Sequence, residues 1–242
     1  MFVTAYYSGY YGFDAYYLIF VLPAVLLALV AQFRVQSAFN RFSRIRNRRG
    51  LTGAQAAEAV LRRHGVFDVT IEPVAGQLTD HFDPRTRVIR LSQGVYDQPS
   101  IAAVGIAAHE AGHAVQYAQS YVPIKLRAAI IPATRVGSML SFPLILLGFF
   151  LNSEPMLWLG IGLFGLATVF QLITLPVEFD ASRRALLALE QAHTLDETEL
   201  PGARKVLSAA ALTYVAALAV SLMQLLRLVL IAGGRSGRGN RH

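Results

Sequence analysis

Two histidines and a glutamate within one helical turn carry the chemistry this chain can do. In Ile106-Ala-Ala-His-Glu-Ala-Gly-His-Ala-Val-Gln116, His109 and His113 stand four positions apart, with Glu110 beside the first. Residues at that spacing share one face of an α-helix. Two imidazoles so placed can hold one Zn²⁺ at about 2.0–2.1 Å each. Glu110 then stands where its carboxylate can take a proton from a water at the metal, as general base. The flanks are Ala, Ile and Val, and Ile101 to Tyr117 contains no proline, as a buried helix requires. This is the chemistry of hydrolysis by an activated water. The competing reading is a pair of packed core histidines.

A catalytic zinc usually takes three protein ligands and keeps one position for water. The chain has no cysteine, so the third ligand must be His, Asp or Glu. Glu178 is the first choice. It directly follows an apolar run, in Leu175-Pro-Val-Glu-Phe-Asp-Ala-Ser-Arg-Arg184, where a helix should open as the chain leaves the membrane. Asp180 is weaker, because two residues further on is another helix face. His81, on a strand ahead of the metal helix, is the runner-up. One Zn²⁺ per chain is expected, although other divalent ions bind such ligand sets.

These residues need elements to position them, and the composition says where those lie. Hydrophobic residues make up 54% of the chain and charged ones only 15%, unusual for a soluble protein. The apolar residues cluster at Ala15–Phe33, Val136–Leu151, Leu157–Val177 and Val206–Leu226. About twenty helical residues cross a hydrocarbon core of roughly 30 Å. The second run is short and needs Thr134 or Asn152 as a flank, with Asn152-Ser-Glu-Pro155 turning the chain into the third run. Arginines 34, 41, 44, 46, 48 and 49 follow the first run, and no positive charge precedes it. The expectation is a retained span and not a cleaved signal peptide. The same arginines predict an N-terminus outside and residue 34 onward in the cytoplasm. Residues 178–205, with Arg183, Arg184, Arg204 and Lys205, return to the cytoplasmic side. The tail arginines 235, 238 and 241 conflict with a fourth full crossing. The net charge of +7 is mostly juxtamembrane arginine and suits anionic lipid head groups. No basic module with aromatic stacking residues is visible, so no nucleic-acid partner is expected.

Between the first two runs lies a small α+β domain. Thr52 should cap a helix to about His64, ended by Gly65. Phe67–Val74, Gln77–Phe82 and Thr86–Leu91 read as strands, the last two joined by Asp83-Pro84-Arg85-Thr86. The strand Arg87–Leu91 could accept an extended substrate at a sheet edge or be an ordinary internal strand. The metal helix runs from about Ser100 to Gln119. The tyrosine-rich Met1–Gly12 suits the membrane–water boundary. The division is residues 1–36 with the first span, 37–135 as a cytoplasmic domain, 136–177 as a membrane hairpin, 178–205 as a cytoplasmic helix, and 206–242 as the last span and basic tail.

Several separate segments resemble the neutral zinc metallopeptidases of bacterial membranes. They are Tyr16–Phe33 with the basic stretch after it, Leu51-Thr-Gly-Ala54, Leu78-Thr-Asp-His-Phe-Asp-Pro84, Ala107–His113, Leu175–Ala185 and Ala203-Arg-Lys-Val-Leu-Ser-Ala-Ala210. More distantly the chain is similar to heat-shock membrane proteases and CAAX prenyl proteases, which pair the zinc helix with a later Glu-x-x-Ala-Asp. The resemblance implies that Glu178 takes the ligand position and Ala181 that of the alanine. The chain departs from the pattern at the last position, where Ser182 replaces the acid that supports a zinc histidine. Asp180 could compensate, though simple helix geometry turns it away.

The expectation is a mainly α, multi-pass membrane protein with about four transmembrane helices and a zincin-like domain inserted after the first. It would be a zinc metalloendopeptidase acting on membrane proteins or peptides released from them. Arg204 or Tyr214 could stabilise an oxyanion. Gln171, Thr174, Gln224 and Arg227 either line an aqueous entry or join helices. The alternative is a metal-binding scaffold or chaperone-like membrane protein without catalysis, and the intact Glu110 argues against it. The absence of an inverted repeat argues against a transporter.

Overall fold

A computed structural model describes the backbone of residues 14–239 and the side chains of residues 14–234. The tyrosine-rich Met1–Gly12 and the side chains of the tail arginines lie outside the described residues. The chain divides into two compact units, one of residues 31–126 and 174–213, the other of 1–30, 127–173 and 214–242.

The second of these is built from apolar helix. A π-helical turn, Tyr17–Val21, leads into α1 (Leu22–Phe42). Among the described residues four helices are long and apolar enough to cross a membrane. Their large side chains face outward, with Phe142 71% and Phe150 79% exposed, the reverse of a soluble bundle. The second apolar run is the later part of a 29-residue helix, α5 (Val122–Phe150), which takes in Thr134 as its flank. Pro132 and Pro143 lie inside α5 without ending it. Asn152, at a φ of 50°, turns the chain into α6 (Glu154–Gln191). Gly148 and Gly160 let the two helices touch: a Cβ on Gly148 would stand 2.6 Å from the Leu157 nitrogen.

The fourth run lies within α7 (Leu200–Gly239), 40 residues without a break. Arg227 donates from Nη2 to Asp14 Oδ2 at 2.7 Å, and its guanidinium stacks 5.4 Å from the Tyr17 ring centroid. The far end of the last apolar run is therefore held against the start of the first. Arg227 thus ties the last helix to the segment that opens the first.

The other unit holds the chemistry-bearing residues. Thr52 caps α2 (Gly53–Arg63) through a reciprocal box with Gln55, and Gly65, at a φ of 69°, follows its end. Three short strands follow: β1 (Thr70–Val74), β2 (His81–Asp83) and β3 (Val88–Ser92). The sheet order is β1-β3-β2, with β1 parallel and β2 antiparallel to β3. The strand expected over Gln77–Phe82 is shorter, because Gly76 and Leu78 take positive φ in a turn. The strand read as Arg87–Leu91 is the central one. Its two edges are both paired, so it cannot add a substrate strand, and the sheet edge nearest it in sequence is β2.

A short helix, α3 (Gln93–Tyr96), precedes α4 (Ile101–Ala118), the helix of the two histidines. The Ser100 hydroxyl caps α4 by accepting from the Ala103 nitrogen at 3.1 Å. The basic stretch before α2 is pinned onto this start. Buried Asn47 donates from Nδ2 to the Pro99 and Leu51 carbonyls at 2.9 and 2.7 Å, and the Ile101 nitrogen donates to the Ile45 carbonyl. One core joins α2, the sheet, α4 and parts of α6 and α7 through Val60, Ile89, Leu91, Val104, Leu189 and Leu207. Each such fully buried aliphatic side chain contributes about 1.5–3 kcal/mol.

Candidate metal centre

α4 is almost entirely buried, and its small residues decide what can approach it. Gly112, between the two histidines, meets α6: a Cβ there would stand 2.7 Å from the Ala181 carbonyl oxygen. Any larger residue at 112 would push the helices apart. Two turns earlier, Gly105 faces Ala203 of α7 at 3.3 Å on the same measure. The close approach of α4 and α6 lays Glu178 over the histidine face.

His109 Nε2 lies 3.3 Å and His113 Nε2 3.5 Å from Glu178 Oε2. One ligand atom from each of the three residues falls within 4.8 Å of the others. Two ligands each about 2.0–2.1 Å from a tetrahedral metal stand about 3.3–3.4 Å apart, so this donor set fits Zn²⁺. The rings of His109 and His113 are edge to face, centroids 4.7 Å apart. Glu178 is 2% exposed, while the histidines keep 15% and 11% of their side chains accessible, which leaves an open side. Burial by itself lowers the His113 pKa, but the Glu178 carboxylate and the Glu110 charge outweigh it, and the net shift is upward. Glu110 is mostly buried on the same helix.

Glu178 does not open a new helix. It lies well inside α6, which continues through Pro176 from the third apolar run. Proline removes one N–H donor, and helices packed against neighbours tolerate the loss. His81, the runner-up ligand, is exposed on β2, its Nδ1 2.8 Å from the Thr79 carbonyl, and lies outside the three-residue cluster. Asp180 is also outside it. Ser182 Oγ lies 3.1 Å from His109 Nδ1, so the serine at the departing position contacts the ring directly. Arg204 is exposed, Tyr214 half-buried, and Thr174 buried.

Sequence reasoning overlooked two residues. Asp80 accepts from the Ser92 nitrogen at 2.8 Å and hydroxyl at 3.1 Å. Burial pushes its carboxyl pKa up and the charge of Glu110 adds to that, against the Ser92 hydrogen bonds, so the net shift is upward. Its only sequence signal was membership of the Leu78–Pro84 segment. Gln116 is fully buried one turn after the histidine pair, a long amide where an apolar residue would ordinarily pack.

Apolar spans together with a buried His-His-Glu cluster define a membrane protein with a candidate zinc site. Residues 17–233 match the family described as "Putative neutral zinc metallopeptidase", and the chain belongs to it. It is similar to "Putative membrane protease YugP" of Bacillus subtilis (strain 168), 46% identical over 215 residues that cover 89% of this chain and 96% of that protein. No solved structure matches.

Proposed function

We propose that this protein is a membrane zinc metalloendopeptidase with a zincin-like domain and one Zn²⁺ per chain, held by His109, His113 and Glu178. The observation that carries the reading is the approach of both Nε2 atoms to Glu178 Oε2, at 3.3 and 3.5 Å, on the helix that also bears Glu110. Zinc in such a site polarises a scissile carbonyl and makes a water acidic near neutral pH. Glu110 takes the proton of the attacking water and delivers it to the leaving amine. β2, at the sheet edge, offers its backbone to an extended substrate. Beside it a groove of about 750 Å³ is lined in part by Phe67, Phe82, Pro84, Ala114 and Tyr117. The Phe82 and Tyr117 rings meet there edge to face, 5.6 Å between centroids, and Asp68 and Arg87 bring charge to the same groove. Membrane proteins and peptides released from them are the substrates that suit an enzyme held at a bilayer.

Purified protein should hydrolyse a casein-type substrate. A chelator should abolish that activity and stoichiometric Zn²⁺ restore it. Hydrolysis that survives complete removal of metal would sink the reading.

The arginines that follow the first apolar run support a cytoplasmic catalytic unit and an N-terminus outside the cell membrane. The chain has no cysteine, so a single one reports its own side. Gln77→Cys should be shielded from an impermeant thiol reagent in intact cells and Ser153→Cys labelled. The opposite pattern would reverse the orientation.

A further inference from the structure

The charge that a Glu-x-x-Ala-Asp pattern would put at position 182 is missing here, and Asp180 carries one two residues earlier. Asp180 does not touch either histidine. Its Oδ2 accepts from Gln116 Nε2 at 2.9 Å, and its Oδ1 accepts from Arg183 at 2.6 Å. Arg184 Nε donates to Oδ2 as well, and its guanidinium stacks 5.5 Å from the Tyr121 ring centroid. Two guanidinium groups thus hold the carboxylate in one orientation.

Gln116 translates that orientation to the metal site. Its Nε2 donates a second time, to the Val177 carbonyl at 2.9 Å. An amide NH₂ has two hydrogens, and both are committed to oxygens that can only accept. Flipping the amide would set its oxygen against both of them. Oε1 therefore faces His113 Nδ1 at 3.0 Å, where it can only accept. His113 must carry a ring hydrogen on Nδ1, which makes Nε2 the nitrogen that would offer its lone pair to a metal shared with Glu178. His109 has no such enforcement from Ser182, because a hydroxyl can rotate to donate or to accept.

We propose that Gln116 is a positioning residue of the metal site, fixing the tautomer and ring orientation of His113, and that Asp180 with Arg183 and Arg184 acts on the metal through it. The proposal rests on the metal-centre reading above. Outer partners of this kind set metal affinity by holding a ligand ring in place.

The test uses full-length protein in detergent micelles, with Co²⁺ as a spectroscopic probe and Zn²⁺ affinity read by competition with a chromophoric chelator. Gln116→Met, close in length and unable to accept, should weaken both metals by about 10–100-fold. It should also shift the Co²⁺ ligand-field bands. Asp180→Asn should move both readouts in the same direction by less. The double variant should be no worse than Gln116→Met alone, because Asp180 works through the amide. Loss of packing alone would lower the unfolding temperature of chelator-treated protein without moving the Co²⁺ bands. Unchanged bands and affinity in Gln116→Met, or additive losses in the double variant, would overturn the relay. Should Gln116→Met not accumulate, wild-type affinity in Asp180→Asn overturns it equally. A wild type that binds neither metal takes down the metal-centre reading and the relay together. A wild type that binds, with variants that bind as well, takes down the relay alone.

Discussion

Glu110→Gln is expected to lower peptide hydrolysis by about 10²–10⁴-fold, the usual contribution of a positioned general base. Zinc affinity should stay near that of the wild type, because the amide is isosteric and no ligand changes. Glu110 is mostly buried on a helix packed into the core of its unit, so the isosteric neutral side chain has no reason to unfold it. The comparison needs turnover of a casein-type substrate and bound zinc, both measured on the same preparations. Near-wild-type hydrolysis in the variant would remove Glu110 from the mechanism. A wild type that binds zinc stoichiometrically but cleaves nothing would favour the scaffold alternative.

The second large effect is on metal binding. Glu178→Gln should weaken Zn²⁺ binding by more than about 100-fold, beyond the range expected for outer partners such as Asp180. That factor corresponds to about 2.7 kcal/mol or more of binding free energy. The amide is a poorer ligand, and it removes a negative charge that offsets the ion in a site where Glu178 is 2% exposed. Hydrolysis should fall with metal occupancy. Chelator competition on Glu178→Gln and Asp180→Asn side by side decides the point. Equal losses in the two variants would show that Glu178 is a support and that another residue completes the ligand set.

What the sequence determined by itself was whatever depends on near neighbours. The four-residue step from His109 to His113 sets both imidazoles on one helix face by the period of the helix alone. The apolar runs are local too, and each lies almost entirely in a helix long enough to span. Thr52 with Gln55, and Gly65 at positive φ, are local signals of where α2 begins and ends. Even so, the sequence misplaced helix limits. It broke α6 at the polarity change near Glu178, although packing carries that helix on to Gln191.

Only the tertiary structure decided what meets what. That β3 lies inside the sheet follows from its pairing with both β1 and β2, which residue alternation cannot reveal. Helix geometry turned Asp180 away from the ligands, and it does not touch them. No periodicity could show that Gln116, 64 residues away in the chain, bridges the gap. The meeting of Glu178 with the histidines likewise depends on the missing side chain at Gly112, which lets α4 come against the Ala181 backbone. Local spacing places ligands on one helix. Which residue of another helix completes them is a matter of how closely the two backbones can approach.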